Sequence, residues 1–339
     1  MKVLITGGAG FIGSTVASAL LDHGATPVIL DSLVTGREAF TAGRIFYRGD
    51  IADGELLDRI FAEHPDIEAT VHCAALIVVP ESVAQPLRYY RENVGKTVEL
   101  LGHLERNGCR RFLFSSSAAI YAAGADLTVD EDSPLDPGSP YAATKAVVDG
   151  LLADAVGGGS GLRAVSLRYF NPVGADPKMR TGLQLLEPSH ALGKMVSAWE
   201  RGEVFQITGT DWPTPDGSGI RDYIHVWDLA QAHVAALRRF DELVGGDRPA
   251  HTVINLGTGT GVTVRQLAEA FGTVTGTPLR TEDAPRRPGD VVGAYTRCER
   301  SARLLDWRAK YALEDGIRHA LEWRAKLLAE VAGTAAEQE

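Results

Sequence analysis

Short apolar runs alternate with helix-length amphipathic segments through about residue 170 of this 339-residue chain. Segments such as 11–23, 87–107 and 140–156 have the length and pattern of helices. Repeated alternation of strand and helix predicts an α/β fold, a doubly wound parallel sheet with right-handed crossover connections. The runs interpreted as strands are Val3–Ile5, Val28–Leu30, Ile45–Tyr47, Ala69–Val71, Arg111–Phe114 and Ala164–Leu167.

The regular alternation ends near residue 171, and two proline- and glycine-rich turns follow at 212–219 and 284–290. We therefore expect a second, smaller domain of mixed α/β structure that covers a substrate. The boundary is approximate, and some later segments are expected to return to the first domain. The predicted parts are a cofactor-binding domain over 1–170, the smaller domain over 171–332 and a frayed tail over 333–339.

The overall composition excludes several classes of protein. With 45% hydrophobic residues the chain can form substantial cores, and its net charge of −10 argues against a general binder of nucleic acids or anionic membranes. No apolar run approaches the roughly 18 residues of a membrane span, and the opening residues do not resemble a secretory signal. Cys73, Cys109 and Cys298 lack metal-like spacing, and the nine histidines form no ligand-like cluster. We expect a cytoplasmic protein without a metal, a nucleic-acid partner or a membrane partner.

A glycine-rich turn follows the first predicted strand and opens the first predicted helix. Its glycines satisfy either of two fingerprint spacings, G-x-G-x-x-G from Gly8 or G-x-x-G-x-x-G from Gly7. Such a turn lets the backbone approach a pyrophosphate, which then rests on the helix N-terminus. The sequence therefore predicts a Rossmann-like dinucleotide site. The predicted contacts in this turn are Gly7, Gly10, Phe11, Ile12 and Gly13.

Asp31 ends the second predicted strand, 18 residues beyond Gly13. A carboxylate there accepts hydrogen bonds from an adenosine ribose and repels a 2′-phosphate, so it favours NAD over NADP. An ordinary strand-end carboxylate is the alternative. The other predicted cofactor contacts are Asp50 and Ile51 beside the adenine, Ala74, Ala75 and Leu76 after the fourth strand, and Asn93 in the next helix. Helix capping at Asp50, tight packing at the alanines and a solvated amide at Asn93 are the structural alternatives.

Tyr141 and Lys145 form the pattern Tyr-x-x-x-Lys in a predicted helix. Positions i and i+4 share one face of a helix, so the ammonium can lie close to the phenol. A lysine, helped by a cationic cofactor, can stabilise the phenolate enough to make tyrosine a base near neutral pH. A chance helical pair is the alternative. A serine cluster ending at Ser117 favours the chemical interpretation, because it follows the fifth strand at the edge where such sheets bind ligands.

Together the serine, tyrosine and lysine resemble the active site of the extended short-chain dehydrogenases/reductases. Further motifs look like those of the UDP-glucose 4-epimerase family, and the resemblance runs from residue 1 to about 325. The resemblance implies NAD as cofactor, a UDP-sugar substrate and a homodimer packed through helices 87–107 and 140–156. The motifs are Tyr89-Tyr90-x-x-Asn93-Val94, LRYFNPVGA at 167–175, WPTPDGSGIRDYIHV at 212–226 and APRRPGD at 284–290.

The resemblance also implies a role for each matching residue. Ser117, Tyr141 and Lys145 match the catalytic positions, and the tyrosine and lysine also contact the cofactor. Two arginines suit a diphosphate because guanidinium groups form charge-assisted, fork-like bonds, although surface ion pairs are the alternative. The remaining matches are Ser115, Tyr169 and Phe170 on the cofactor side, and Asn171, Arg221, Arg287 and Asp290 at the diphosphate and uridine of the substrate.

The chain departs from the family pattern around the ligands. Ile77 occupies the place where many relatives carry a lysine beside the cofactor ribose. The segment PSHAL at 188–192 replaces the usual asparagine-leucine pair on the uracil side, and His190 is the candidate contact there. Ala294 lies where a bulky tyrosine is associated with exclusion of N-acetyl sugars. A register shifted by one residue puts Tyr295 there instead, and the two registers predict opposite substrate ranges.

The resemblance implies an isomerase that inverts C4 of a UDP-hexose, UDP-galactose or UDP-glucose, through a transient 4-keto sugar. A nucleotide-sugar 4,6-dehydratase or decarboxylase is an alternative, but dehydratases need a carboxylate pair near the serine, and SAAIY at 117–121 has no acid. A non-catalytic NAD-sensing protein is a third alternative, and it would not require an intact serine, tyrosine and lysine set.

Overall fold

The computed structural model describes residues 1–159, 161–246, 250–287 and 290–336. Its strands are, in chain order, β1 (Lys2–Thr6), β2 (Thr26–Asp31), β3 (Ile45–Arg48), β4 (Ile67–His72), β5 (Arg111–Ser117), β6 (Thr128–Val129), β7 (Arg163–Tyr169), β8 (Asn171–Val173), β9 (Phe205–Thr208), β10 (Ile220–Arg221), β11 (Tyr223–His225), β12 (His251–Leu256), β13 (Val262–Thr263), β14 (Thr281–Ala284) and β15 (Tyr295–Thr296).

The helices lie between these strands, and a π-helical turn at Arg91–Gly95 joins two of them. They are α1 (Phe11–Asp22), α2 (Gly54–Glu63), α3 (Val79–Ala84), α4 (Pro86–Tyr90), α5 (Lys96–Arg106), α6 (Pro140–Gly157), α7 (Ala191–Arg201), α8 (Val226–Arg238), α9 (Phe240–Leu243), α10 (Val264–Thr275), α11 (Glu299–Leu305) and α12 (Leu313–Ala336).

Within the described residues, the central sheet has seven strands in the order β12-β7-β5-β4-β1-β2-β3, and every neighbouring pair is parallel. All six strands predicted from the sequence belong to it, so the predicted Rossmann-like fold class is confirmed. In the sheet, β2 and β3 lie on one side of β1, whereas β4 and the later strands lie on its other side. This reversal creates a crevice beyond the carboxyl ends of β1 and β4, where doubly wound sheets bind ligands.

Helices cover both faces of the sheet and bury its apolar side chains. On one face α1 and α8 pack together, with Leu20 and Leu229 fully buried. On the other face α2, α5 and α6 contribute Leu57, Leu104 and Val148 to a second core. Each such burial stabilises the fold by about 1.5–3 kcal/mol, which fixes the strand ends from which the functional residues project.

Parts of the chain beyond residue 171 contact the central sheet or the helices on it. α8 packs on α1, and β12 pairs with β7 at the sheet edge. A third core, to which Leu192 and Phe205 belong, holds α7, α10 and the neighbouring short strands together. The boundary at residues 170 and 171 stays a prediction. α12 extends to Ala336, into the segment predicted to fray, and 337–339 lie outside the described residues.

Two findings concern membranes and metals. Among the described residues, no helix combines the length and apolar character needed to cross a membrane. The same part of the chain contains no group of three or more histidine, cysteine, aspartate or glutamate residues that could hold a metal ion.

Candidate active site

The turn after β1 is closely packed at its glycines. Gly7 has a φ of +70°, and a Cβ there would lie 2.6 Å from the backbone nitrogen of Ala74. A Cβ on Gly13 would lie 2.3 Å from the carbonyl oxygen of Gly7, whereas one on Gly8 would meet only the side chain of Ile29. The spacing that begins at Gly7 is therefore the one that brings β1, α1 and the segment after β4 together.

The N-terminus of α1 opens onto this turn. Gly10 is its N-cap, and no side chain of the described residues caps the helix there. Because the first amides of a helix lack intrahelical partners, they can receive an anion. A backbone that only glycine permits, next to uncapped amides, fits the pyrophosphate of a dinucleotide. Phe11 and Ile12 form the first residues of this helix.

Asp31 is buried at the end of β2, beside the glycine turn. Its carboxylate accepts hydrogen bonds from the backbone N–H groups of Ala9, at 2.9 Å, and Leu33, at 2.8 Å. A Cβ on Gly36 would lie 2.7 Å from one of the carboxylate oxygens. The carboxylate is thus held in a fixed position at the edge of the crevice, and its predicted contact with a ribose stays a prediction.

The other predicted cofactor residues occupy different positions relative to the crevice. Asn93 is buried, not solvated. Its side chain bonds both the N–H and the carbonyl of Leu76 and donates to Thr144 at 3.1 Å.

Asp50 forms an ion pair with Lys96 at 2.5 Å and does not cap α2. The cap of α2 is Asp53, which accepts from Leu56 at 3.0 Å. Ile51 belongs to the core beside α2, and Cys73, Ala74 and Ala75 follow β4 into the crevice.

The predicted catalytic residues lie where α6 packs against the end of β5. Ser139 caps α6 by accepting from Ala142 at 3.2 Å, which places Tyr141 and Lys145 on the first turns of the helix. The Lys145 ammonium donates to the carbonyl of Ser115 at 2.7 Å. Burial lowers the pKa of Lys145 to about 8. Burial also raises the pKa of the Tyr141 phenol, and a hydrogen bond with Ser117 opposes that rise.

A buried histidine lies beside Ser115 and Tyr169, two of the predicted cofactor residues. The Nε2 atom of His233, on α8, lies 3.1 Å from the hydroxyl of Ser115, which in turn lies 3.2 Å from the Cys73 sulfur. The ring of Tyr169 packs near His233. Burial lowers the pKa of His233 to about 4, so the ring is neutral. The sequence analysis missed it, because a lone histidine on the apolar face of a helix has no motif.

A buried polar network, also missed, braces the catalytic helix from behind. Asp149, one turn beyond Lys145 on α6, accepts from the Arg168 side chain at 2.8 Å. Arg168 donates to the Tyr121 hydroxyl at 2.8 Å, and that hydroxyl donates to Asn255 at 2.7 Å. Pairing keeps the buried charges compensated, and the chain of bonds ties α6 to β7, β12 and the turn after β5.

The predicted substrate residues lie on short strands and turns outside the central sheet. Asn171 begins β8, which pairs with β11. The Arg221 guanidinium donates to the carbonyls of Val292, at 2.8 Å, and Val291, at 3.2 Å. Arg287 and Asp290 form an ion pair with each other at 3.1 Å, as the surface-pair alternative anticipated. Their predicted contacts with a nucleotide stay predictions, and residues 288 and 289 lie outside the described residues.

Comparison with known proteins decides the family. The model of the NAD dependent epimerase/dehydratase family matches residues 3–257. This chain belongs to that family. It is 43% identical to UDP-glucose 4-epimerase of Azospirillum brasilense over 96% of this chain and 92% of the relative. The corresponding enzyme of Bacillus subtilis is 38% identical, with 96% and 97% covered.

A solved structure is similar over almost the whole chain. It is a UDP-glucose-4-epimerase from Stenotrophomonas maltophila with bound NAD and formylated UDP-arabinopyranose. Its TM-score is 0.90 at 36% identity, and the match covers 97% of this chain and 99% of that one. The resemblance to the UDP-glucose 4-epimerase family is thereby confirmed.

His190 occupies a distinctive place in this member of the epimerase/dehydratase family. It caps α7, and its Nδ1 atom accepts from the N–H of Gly193 at 3.2 Å. Burial lowers the pKa of the ring to about 4, so the neutral ring carries its hydrogen on Nε2. That atom is buried and has no hydrogen-bond partner among the described residues. It lines an apolar cavity next to Phe11 and Pro172, so it suits a polar group of a ligand or a water.

The two candidate residues for the N-acetyl gate face different neighbours. Ala294 packs against a cluster of Ile120, Tyr121 and Val129, against which Phe170 also packs. Tyr295 lies against Gly261, where an added Cβ would come within 2.5 Å of its ring. Ile77, the other departure from the family pattern, is 61% exposed.

Proposed function

We propose that this protein is a UDP-glucose 4-epimerase, which binds NAD and interconverts UDP-galactose and UDP-glucose through a transient 4-keto sugar. The observation that carries the proposal is that Tyr141 lies beside Ser117, and Lys145 on the carbonyl of Ser115, at the carboxyl edge of a sheet whose glycine turn fits a dinucleotide. The family and the relatives of nearly full length support the same activity.

The chemistry divides between cofactor and protein. NAD, when bound, would supply the hydride chemistry at C4 of the sugar. Tyr141 takes the proton of the 4-hydroxyl and returns it, and Ser117 orients that hydroxyl and shuttles protons. Because burial raises the pKa of the phenol, the cationic nicotinamide and Lys145 must supply the charge that stabilises a phenolate. Between the two proton transfers the keto sugar turns over in the pocket while its nucleotide stays anchored.

We assign that anchoring to the polar residues on the far side of the crevice. They lie on short strands and turns outside the central sheet, so the nucleotide is held by one part of the fold and the reacting carbon by another. Positioning of this kind lowers the barrier by holding the reacting groups in a near-attack geometry. The proposed contacts are Asn171, His190, Arg221, Arg287 and Asp290.

We further propose a homodimer packed through α4, α5 and α6. These helices carry apolar side chains that the single chain leaves in solvent, among them Leu87, which is 84% exposed, Tyr90, Val98 and Val147. Exposed apolar side chains that form a patch mark interaction sites, and we infer that these residues form one. Light scattering should give twice the mass of one chain, and Leu87→Glu should reduce it toward the monomer. A monomeric unmodified protein at micromolar concentration would rule the dimer out.

A reducing compartment, the cytoplasm, is the proposed location. Cys73, Cys109 and Cys298 are all free thiols in the structure. Burial raises the pKa of each thiol, which keeps it protonated and unreactive.

The decisive experiment mixes purified protein with UDP-galactose, without added cofactor, and follows UDP-glucose by NMR. Conversion to an equilibrium mixture is expected, because the NAD is regenerated in each cycle. Protein that carries NAD but leaves UDP-galactose and UDP-glucose unchanged would contradict the proposed activity.

A further inference from the structure

Asp222 is a fully buried carboxylate that none of the roles above uses. It lies between β10 and β11, directly after Arg221. One carboxylate oxygen accepts from the N–H and the hydroxyl of Thr258, both at 2.8 Å. The other accepts from the N–H of Gly259 at 3.1 Å and lies 3.4 Å from the N–H of Thr296. Four donors thus converge on a single side chain.

These donors belong mainly to a glycine-rich loop, GTGTG at 257–261, which follows β12 and precedes β13 and α10. Loops of this composition cradle phosphates through their backbone N–H groups. Here the Asp222 carboxylate takes the place of such an anion. A Cβ on Gly257 would lie 2.5 Å from the carboxylate, so glycine is needed there for the approach. The loop is therefore filled from within the protein and is not a second nucleotide site.

The segment around Asp222 connects several parts of the nucleotide side of the crevice. Its carbonyl accepts from the backbone N–H of Asn171 at 3.0 Å. The preceding Arg221 reaches the carbonyls of the segment 291–292, and Thr296 lies two residues after Ala294. The Asp222 side chain, bonded to the glycine loop, therefore fixes the backbone that carries the proposed substrate contacts. It also fixes β15, which directly follows Ala294.

We propose that Asp222 is a positioning residue for the nucleotide sugar: its carboxylate, seated in the loop 257–259, holds Arg221 and Asn171 in register with the segment 291–296. This inference rests on the proposed function, because it concerns how that enzyme holds UDP. The role requires a carboxylate. An amide of the same shape accepts at one oxygen only, and its NH₂ group faces N–H donors that are left unpaired.

The first test is Asp222→Asn, purified with its NAD. The KM for UDP-galactose and the Kd for UDP, measured by calorimetry, should each rise about tenfold or more, the scale expected for buried donors left unpaired. The kcat at saturation should stay within about threefold, and the NAD content should be unchanged, because Tyr141 lies on α6 and the glycine turn lies between β1 and α1, outside the segments that Asp222 joins. Unchanged UDP affinity, or a fall in kcat with an unchanged KM, would overturn the proposal.

A milder pair of variants decides the question if Asp222→Asn does not fold. Thr258→Val removes one donor hydroxyl and keeps the backbone, and Thr260→Val makes the same change two residues later, in the same exposed loop. Only Thr258→Val should raise the Kd for UDP, by about threefold. Equal affinities for the two variants would overturn the positioning role.

The unmodified protein separates this inference from the proposed function. Failure of the unmodified protein to bind UDP or to convert UDP-galactose would remove both. Normal conversion by the unmodified protein, together with normal UDP affinity in Asp222→Asn and Thr258→Val, would remove only the role of Asp222.

Discussion

At the scale of single residues, burial favours the neutral form of both members of the catalytic pair. It raises the pKa of the Tyr141 phenol and lowers that of Lys145 to about 8. The ammonium is held by the carbonyl of Ser115 on β5, which keeps it close to the cofactor side of the crevice. In the proposed mechanism the phenol would therefore act as a base only when positive charge lies beside it, so we expect proton abstraction to depend on a loaded cofactor site.

Tyr141→Phe removes the proposed proton acceptor and leaves the cofactor cradle intact. Turnover of UDP-galactose should fall by 10²–10⁴-fold or more, because that is the usual cost of losing a general base. The NAD content, measured after acid extraction, should match that of the unmodified protein. Tyr47→Phe, on β3 and away from the crevice, is the matched control and should keep full activity. A Tyr141→Phe protein with most of its turnover would show that another group accepts the proton.

Ala294→Tyr tests the substrate range at the gate. We expect the small residue to face the site, because Ala294 packs against the same cluster as Phe170, whereas Tyr295 lies against Gly261. The unmodified enzyme should epimerise UDP-N-acetylglucosamine at a rate comparable to UDP-glucose, and Ala294→Tyr should abolish only the first reaction. Tyr295→Ala, the control, should leave the ratio of the two rates unchanged. No turnover of the N-acetyl substrate by the unmodified enzyme would rule out an open gate.

At the scale of elements, the glycine turn between β1 and α1 has the tightest backbone constraint in the cofactor site. Gly7→Ala puts a Cβ 2.6 Å from the backbone of Ala74 at a φ of +70°, so it should lower both NAD content and thermal stability. Gly24→Ala is the matched control, because its φ is +72° and no atom lies within 4 Å of its added Cβ. It should cost about 1–2 kcal/mol of stability and leave NAD content unchanged. Equal NAD content in the two variants would mean that close packing at Gly7 is unimportant.

Elements whose signals are local were predicted from the sequence, and those that depend on distant contacts were not. The strand alternation, the glycine turn and the capped start of α6 each occupy a few consecutive residues. The π-helical turn at 91–95, within a segment predicted as one helix, turns Asn93 toward Leu76, and no periodicity in the sequence reveals it. Asp149 and Arg168 are paired across two elements, so their roles depend on the assembled fold.

The same limit applies to the substrate side of the site. Asp222 belongs to a motif that the sequence analysis recognised, and the loop that holds it begins 35 residues later, at Gly257. Neither segment alone indicates that a carboxylate fills the glycine loop. The position of a residue such as Asp31 is predictable, because it follows from the end of a single strand. The role of a side chain that joins two distant segments, such as Asp222, can be recognised only in the folded structure.

At the scale of the whole molecule, several histidines are buried in the neutral form. Burial lowers the pKa of His72 and His225 to about 3, and that of His190 and His233 to about 4. In the unfolded chain a histidine titrates near 6.5, so the unfolded state binds more protons than the folded state below that pH. Between about pH 6.5 and 4 the free energy of unfolding must therefore fall as the pH falls.

The folded protein should lose stability in mild acid. From pH 7.5 to pH 5 each buried histidine should lower the free energy of unfolding by on the order of 1–2 kcal/mol, measured by urea denaturation of the NAD-bound protein. Asp222 and Asp228, whose burial raises their pKa, oppose this trend at the acid end. In His72→Gln the free energy of unfolding should fall less steeply as the pH falls, even if the variant is less stable overall. The reason is that the folded and unfolded states no longer differ in proton binding at this position. His23→Gln, at an exposed helix end, should keep the full slope. Stability that stays level between pH 7.5 and 5 would mean that these histidines are not neutral in the folded protein.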